Sequence, residues 1–172
     1  LQAKNNNELG SILGNFVNRT FVFNEKYFEG KVPPLGRLEQ IDSNIIEGLK
    51  SYIPRIADYY ENYKFKDALG ETMNLVRDAN KYFNDTEPWK AVKENKERCG
   101  TIINICLQLC HTFAILFNPV LPFSSEKLFG MLGAQKDNFS WDKASVLCLE
   151  DGHKLNKPEI LFKRIEDSEI EK

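Results

Sequence analysis

Between residues 5 and 30 the positions Leu9, Ile12, Leu13, Phe16, Val17, Thr20 and Phe23 recur at helical spacing among polar neighbours. That periodicity predicts an amphipathic helix, with Asn5 and Glu8 suited to a capping box at its start and Gly30 to its end. KVPPLGRLEQ (31–40) follows as a loop, because Pro33-Pro34 cannot continue a helix. Ile45, Leu49, Ile53, Ile56 and Tyr60 then mark a second helix over 43–62, which Pro54 should kink or split. A third helix is expected over 65–84, with Phe65, Ala68, Leu69, Thr72, Met73, Val76, Ala79 and Phe83 on one stripe. After the turn DTEP a short helical piece starts at Trp89. The run TIINICLQLCHTFAILF (101–117) then forms the body of a long central helix. NPVLPF (118–123) breaks it, and Ser124 can cap a last short helix ending near Gly133.

Beyond residue 134 the pattern fades into many charges and one apolar knot, Ile160-Leu161-Phe162. The expected architecture is all-α: an antiparallel bundle of about five helices over 1–135, with an extended C-terminal tail over 136–172. The tail is expected to pack back on the bundle or on a catalytic domain outside this sequence.

Composition changes this picture little. With 42% hydrophobic residues, 28% charged residues and a formal charge of −2, the chain can build a core but carries no global basic field for nucleic acid. Any such contact must be local. Cys99, Cys106 and Cys110 fall at helical spacing in the apolar segment, the setting of reduced, packed thiols, and no C-x-x-C pair points to zinc. Asn104, Gln108 and His111 interrupt the apolar run, which reads as a buried helix too short and too polar to span a bilayer. The chain opens on LQAKNNNELG without a signal-peptide pattern, and Leu1 in place of an initiating Met suggests a piece of a longer protein. The expected setting is cytoplasmic, with no membrane.

Catalytic groupings are lacking in the sequence. His111 and His153 are the only histidines, and Cys110 and His111, as helix neighbours, point about 100° apart. No Gly-rich phosphate loop, metal cluster or G-x-S-x-G occurs. Glu61, Asp67, Glu71 and Asp78 read as solvated helix faces.

Recognition fits better. Asn15 and Arg19 lie one turn apart on the first helix, off its apolar stripe, and form an amide–guanidinium array suited to a base edge or phosphate. The same spacing also fits an ordinary solvated face. Trp89 follows Pro88, which suits the first turn of a helix and holds the indole where it can stack on a base. Packing on its own bundle is the other reading of that tryptophan. Asn80 falls on the apolar stripe, where its amide needs partners. It is expected to support the recognition turn by bonding the backbone of 84–88. Lys26, Lys31, Lys90, Lys93 and Lys96 are candidates for a local basic rim.

NELGSILGNFVNRT, FKDALGETMNLVRDANKYFNDTEPWKAVK, NPVLPFSSEKLFGMLG and PEILFKRIE together resemble the anticodon-binding domain of methionyl-tRNA synthetases. The run ANKYFNDTEPW is the most specific part, since other class I synthetases share the bundle but not the P-W turn. The resemblance implies that Trp89 stacks on the first anticodon base, a cytosine, and that Asn15 and Arg19 contact the bases of CAU in tRNA(Met). Asn80 and Pro88 support the turn. It implies a parent enzyme that attaches methionine to tRNA with ATP. That ATP, its Mg and any Zn of an inserted knuckle would sit on a catalytic domain whose H-I-G-H and K-M-S-K-S motifs are absent from this sequence. This piece then needs no cofactor, and its partners are the anticodon loop and the catalytic domain. A helical protein-interaction bundle, and the anticodon domain of another class I synthetase, remain the alternative readings.

Overall fold

The computed structural model describes residues 2–161, with side chains from residue 8 onward. Among them are six α-helices: α1 (Gln2–Phe28), α2 (Gln40–Glu61), α3 (Phe65–Thr86), α4 (Pro88–Glu94), α5 (Lys96–Leu116) and α6 (Pro122–Leu132). Five of these form the all-α bundle expected from the periodicity, and the seven-residue α4 bridges two of them. Pairings fix the directions. Glu8 meets Arg77, Asn80 meets Ile12 and Arg19 meets Asn84, so α1 and α3 run the same way. Tyr52 bonds Asp78 and Arg55 bonds Glu71, so α2 runs against α3. Phe16 packs edge-on against Phe113 while Lys96 lies over Phe28, so α5 runs against α1.

Several helix ends depart from the sequence-based expectation. α1 is already helical at Gln2, so Asn5 is not its cap, and Glu8 spends its carboxylate on Arg77. α2 begins at Gln40, where the Asp42 carboxylate accepts the N–H of Glu39 at 2.8 Å. It passes through Pro54 unsplit. The proline is exposed, and so is Lys50, whose carbonyl loses its helical partner and is left to water. α6 is capped by Leu121 with Pro122 as its first residue, and Ser124 lies inside the helix. A proline in the first turn gives up an N–H that would be unpaired there anyway.

The core centres on α5, in which every residue from Cys99 to Leu116 is buried. The helix is longer than the apolar run: it has 21 residues and an apolar stretch of mean hydropathy 1.6, enough by length and composition alone to cross a membrane, where the sequence reading held the run too short and too polar. Here that stretch is enclosed by protein, the buried central helix that the sequence reading expected. Its polar residues explain how the following segment is held. Gln108 meets the backbone of Leu149 twice, donating to its carbonyl at 2.8 Å and accepting its N–H at 3.1 Å. Thr112 donates to the Ala144 carbonyl at 2.7 Å, and His111 Nε2 lies 2.8 Å from that of Asn138. Buried polar side chains thus find partners in the backbone of an irregular segment. That segment is less extended than expected: it includes two single-turn 3₁₀ helices, Lys136–Asn138 and Trp141–Lys143, and buries Ala144, Leu149 and Leu155. Three backbone bonds join it to the loop after α1: Val32 to His153, Gly152 to Val32 and Leu155 to Gly30, each 2.8 Å. Of the apolar knot, Ile160 is 75% exposed and Leu161 packs against the core, while Phe162 lies outside the described residues.

Replacing Gln108 with leucine should strand both backbone groups of Leu149 and cost about 2 kcal/mol. Hydrogen exchange at the Leu149 amide should accelerate selectively. Unchanged protection there would show that the segment is held by its apolar contacts alone.

Candidate nucleic-acid interface

The turn between α3 and α4 is built on one strained residue. Glu87 ends α3 and begins α4 with φ +49° and ψ 60°, a left-handed conformation uncommon outside glycine and asparagine. No glycine marks this bend in the sequence, and surrounding contacts impose it. Thr86 Oγ1 donates to the Tyr82 carbonyl at 2.7 Å and so closes the last turn of α3. Pro88 is buried, and its carbonyl lies 3.5 Å from the Cys99 thiol on α5. Burial pushes that thiol up to about 11, so it stays protonated as a donor at neutral pH. With Pro88 seated in the core, the next side chain points away from it. Trp89 is 42% exposed, the surface position expected from its place after the proline.

Trp89 does not stand alone. Its ring centre lies 6.3 Å from that of Phe83, tilted by 36°. The guanidinium carbon of Arg19 lies 4.1 Å from the centre of the same Phe83 ring. Phe83 is therefore a buried hub that both the indole and the guanidinium pack against. Arg19 Nη2 also donates to Asn84 Oδ1 at 2.8 Å. The expectation that Arg19 faces freely outward is corrected: it is half-buried and clamped between α1 and α3. Partial burial lowers its pKa from the ordinary value, but a guanidinium remains charged at any physiological pH. Asn15, one turn earlier on α1, is exposed.

Asn80 is placed differently from expectation. Its amide donates to the Ile12 carbonyl at 3.1 Å and to the Val76 carbonyl at 3.3 Å, not to the turn at 84–88. It ties α3 to α1 one turn below Asn84, and its Oδ1 is buried without a partner. Its position follows from helix register, because four residues before Asn84 it still faces α1 rather than the turn. Nothing in the sequence marks Phe83, read there as core, or Asn84 as part of this surface. A phenylalanine on an apolar stripe reads only as core, and an asparagine near a helix end reads only as turn.

The five lysines named above are all exposed. Lys90 pairs with Glu87 at 2.8 Å, while Lys26 and Lys96 lie over the rings of Tyr27 and Phe28. The α1–α3–α4 surface thus offers an open indole, a prepositioned guanidinium, an exposed amide and exposed cations. Such a set can stack a base and hydrogen-bond its edge.

Residues 32–172 match the family described as the anticodon binding domain of methionyl tRNA ligase. The methionine–tRNA ligase of Bacteroides fragilis (strain YCH46) is 50% identical over 171 residues, covering 99% of this chain and 25% of that protein. That of Porphyromonas gingivalis (strain ATCC 33277) is 47% identical with the same coverage. The chain therefore spans about a quarter of the length of the curated relatives it matches. Among solved structures, Mycobacterium tuberculosis methionyl-tRNA synthetase bound by methionyl-adenylate superposes with a TM-score of 0.85 at 26% identity. That match covers 91% of this chain and 32% of that one, and the apo form of the same enzyme gives a TM-score of 0.84.

Proposed function

The chain belongs to the methionyl-tRNA ligase anticodon-binding family, and from that membership we propose that it reads the CAU anticodon of tRNA(Met) through Trp89, Arg19 and Asn15. The observation that carries this reading is the common hub. Trp89 and Arg19, seventy positions apart in sequence, meet on the same residue, Phe83. Trp89 stacks on the first anticodon base, and Arg19 and Asn15 donate to base edges beside it. Pro88 aims the indole, while Asn80 holds α3 on α1 so that the two helices present their groups together.

In this reading residues 1–135 form the recognition bundle and 136–172 its appendage. The bundle belongs to a larger cytoplasmic enzyme that attaches methionine to tRNA in an ATP-dependent reaction. ATP, its Mg and any Zn are handled by a catalytic domain elsewhere in that polypeptide, with no membrane involved. This chain supplies specificity and positioning rather than chemistry.

Arg19→Ala should remove the donor pair and narrow the preference for CAU over an altered anticodon roughly tenfold or more, as loss of a charged hydrogen bond does. Stem-loop affinities for the two anticodons, measured with the wild type and the variant, decide it. An unchanged ratio removes Arg19 from base reading and leaves it as a clamp between α1 and α3.

A further inference from the structure

The row begun by Asn15 and Arg19 continues along α1. Phe23 and Tyr27 follow at the same four-residue step, so the four side chains form one ridge, about 6 Å between neighbours, that winds about 40° round the helix at each step. Its two halves differ chemically: an amide and a guanidinium first, then two aromatic rings. Those rings connect to the P-W turn beneath the surface, through the buried Phe83. Ring centres step 6.3 Å from Trp89 to Phe83, 6.5 Å from Phe83 to Phe23 and 4.6 Å from Phe23 to Tyr27. Phe23 and Tyr27 are both half-buried; Phe23 packs against the core, and Tyr27 ends the track. The exposed Lys26 places its ammonium 5.2 Å from the centre of the Tyr27 ring.

We infer that the Phe23–Tyr27 end of this row is a second stacking platform, taking a nucleotide that adjoins the one on Trp89. The inference rests on the proposed RNA reading and extends it to a residue outside the P-W turn. Single-stranded nucleic acid is held by successive aromatic faces beside cations that meet its phosphates, and stacking of this kind tolerates any base. Tyr27 offers the ring and Lys26 the cation. The occupant is RNA rather than a protein segment because the rings are joined to Trp89 through Phe83 and follow the base-edge donors on the same helix. The anticodon loop thus lies along α1, read at Asn15 and Arg19 and gripped without base preference at Tyr27.

The test uses the CAU stem-loop together with a set of loops carrying one abasic residue at each position in turn. Tyr27→Leu keeps an apolar side chain against Phe23 but removes the π-face, while Tyr27→Phe keeps it. Tyr27→Leu should weaken binding to the intact loop about fivefold or more. Tyr27→Phe should remain within about twofold of the wild type. The loss should vanish for one abasic loop, at a position other than the first anticodon base. Unaltered affinity in Tyr27→Leu, with its melting temperature unchanged, overturns the platform, and so does an equal loss on every abasic loop. If the wild type prefers CAU while Tyr27→Leu is silent, only the platform falls. A position-specific Tyr27 loss in a protein indifferent to CAU would retain the platform and overturn the anticodon reading. A wild type that binds no loop overturns both.

Discussion

Trp89→Ala is expected to weaken binding of a CAU stem-loop by roughly 5- to 150-fold while leaving the bundle folded. The range is that of one base lost from an aromatic face, about 1–3 kcal/mol. The indole is suited to this role because its neighbours hold it without enclosing it. Pro88 is anchored in the core, Phe83 backs one side of the ring, and 42% of the residue remains open. For the same reason its removal takes little from the core, which is built on α5 and on residues such as Phe16 and Phe113. The direct readout is fluorescence. Trp141 is the other indole and packs edge-on against Tyr60 at 5.7 Å, a contact that phenylalanine can keep. In a Trp141→Phe background Trp89 alone reports. CAU should quench it more than a loop altered at the first anticodon base. Equal quenching by both would make Trp89 a nonspecific platform. A Trp89→Ala variant that melts far below the wild type, yet binds RNA equally once folded, would make it a packing residue. The helical interaction bundle would then be the better account.

The sequence and the structure agree most closely where helical period decides the outcome. The stripes of α1, α3 and α5 were readable because each buries one continuous face, and a core helix must be apolar on nearly all sides. Trp89 was readable because a proline-tryptophan pair after a polar turn has few ways to bury its indole. What stayed hidden depends on contacts between segments far apart in the chain. Glu87 shows nothing of its left-handed backbone, since the turn is imposed by Pro88 docking on α5. Phe83 looks like core and is core, yet only the crossing of α1 over α3 makes it the hub between Arg19 and Trp89. Gln108 and Thr112 read as interruptions of an apolar run, because the backbone they satisfy lies some thirty to forty residues downstream. Asp42 was equally silent, one acid in a polar stretch before the second helix.

That aspartate carries the second large effect: Arg98→Ala should cost about 3–5 kcal/mol of stability, a substantial share of what a domain of this size possesses. The Asp42 side chain is fully buried. Arg98 grips it with both Nη atoms, at 2.5 and 3.0 Å, while the Tyr82 hydroxyl donates at 2.6 Å and the Glu39 N–H at 2.8 Å. Four donors on one carboxylate join the starts of α2 and α5 to the last turns of α3. Burial works against the charge on Asp42, but the bonds from Arg98, Tyr82 and Glu39 outweigh it and hold the carboxyl below its ordinary value. Its stabilising contribution is therefore complete above the unfolded pKa, about 3.9, and is lost as pH falls through the lower folded value. The deficit of Arg98→Ala should be largest near neutrality and shrink as pH falls below about 4, where the unfolded chain takes up the proton, until the wild type too loses the ion pair at the lower folded value. Arg98→Ala combined with Asp42→Asn should be more stable at pH 7 than Arg98→Ala alone, because no buried charge remains unpaired. Denaturant melts of the three variants at pH 7 and pH 3.5 test both statements. A deficit independent of pH and unrelieved by Asp42→Asn would assign Arg98 a packing role. Since Tyr82 precedes Phe83 on α3, this knot also sets the floor beneath the recognition turn. Loss of Arg98 should therefore loosen the turn thermally before it alters any group that faces RNA.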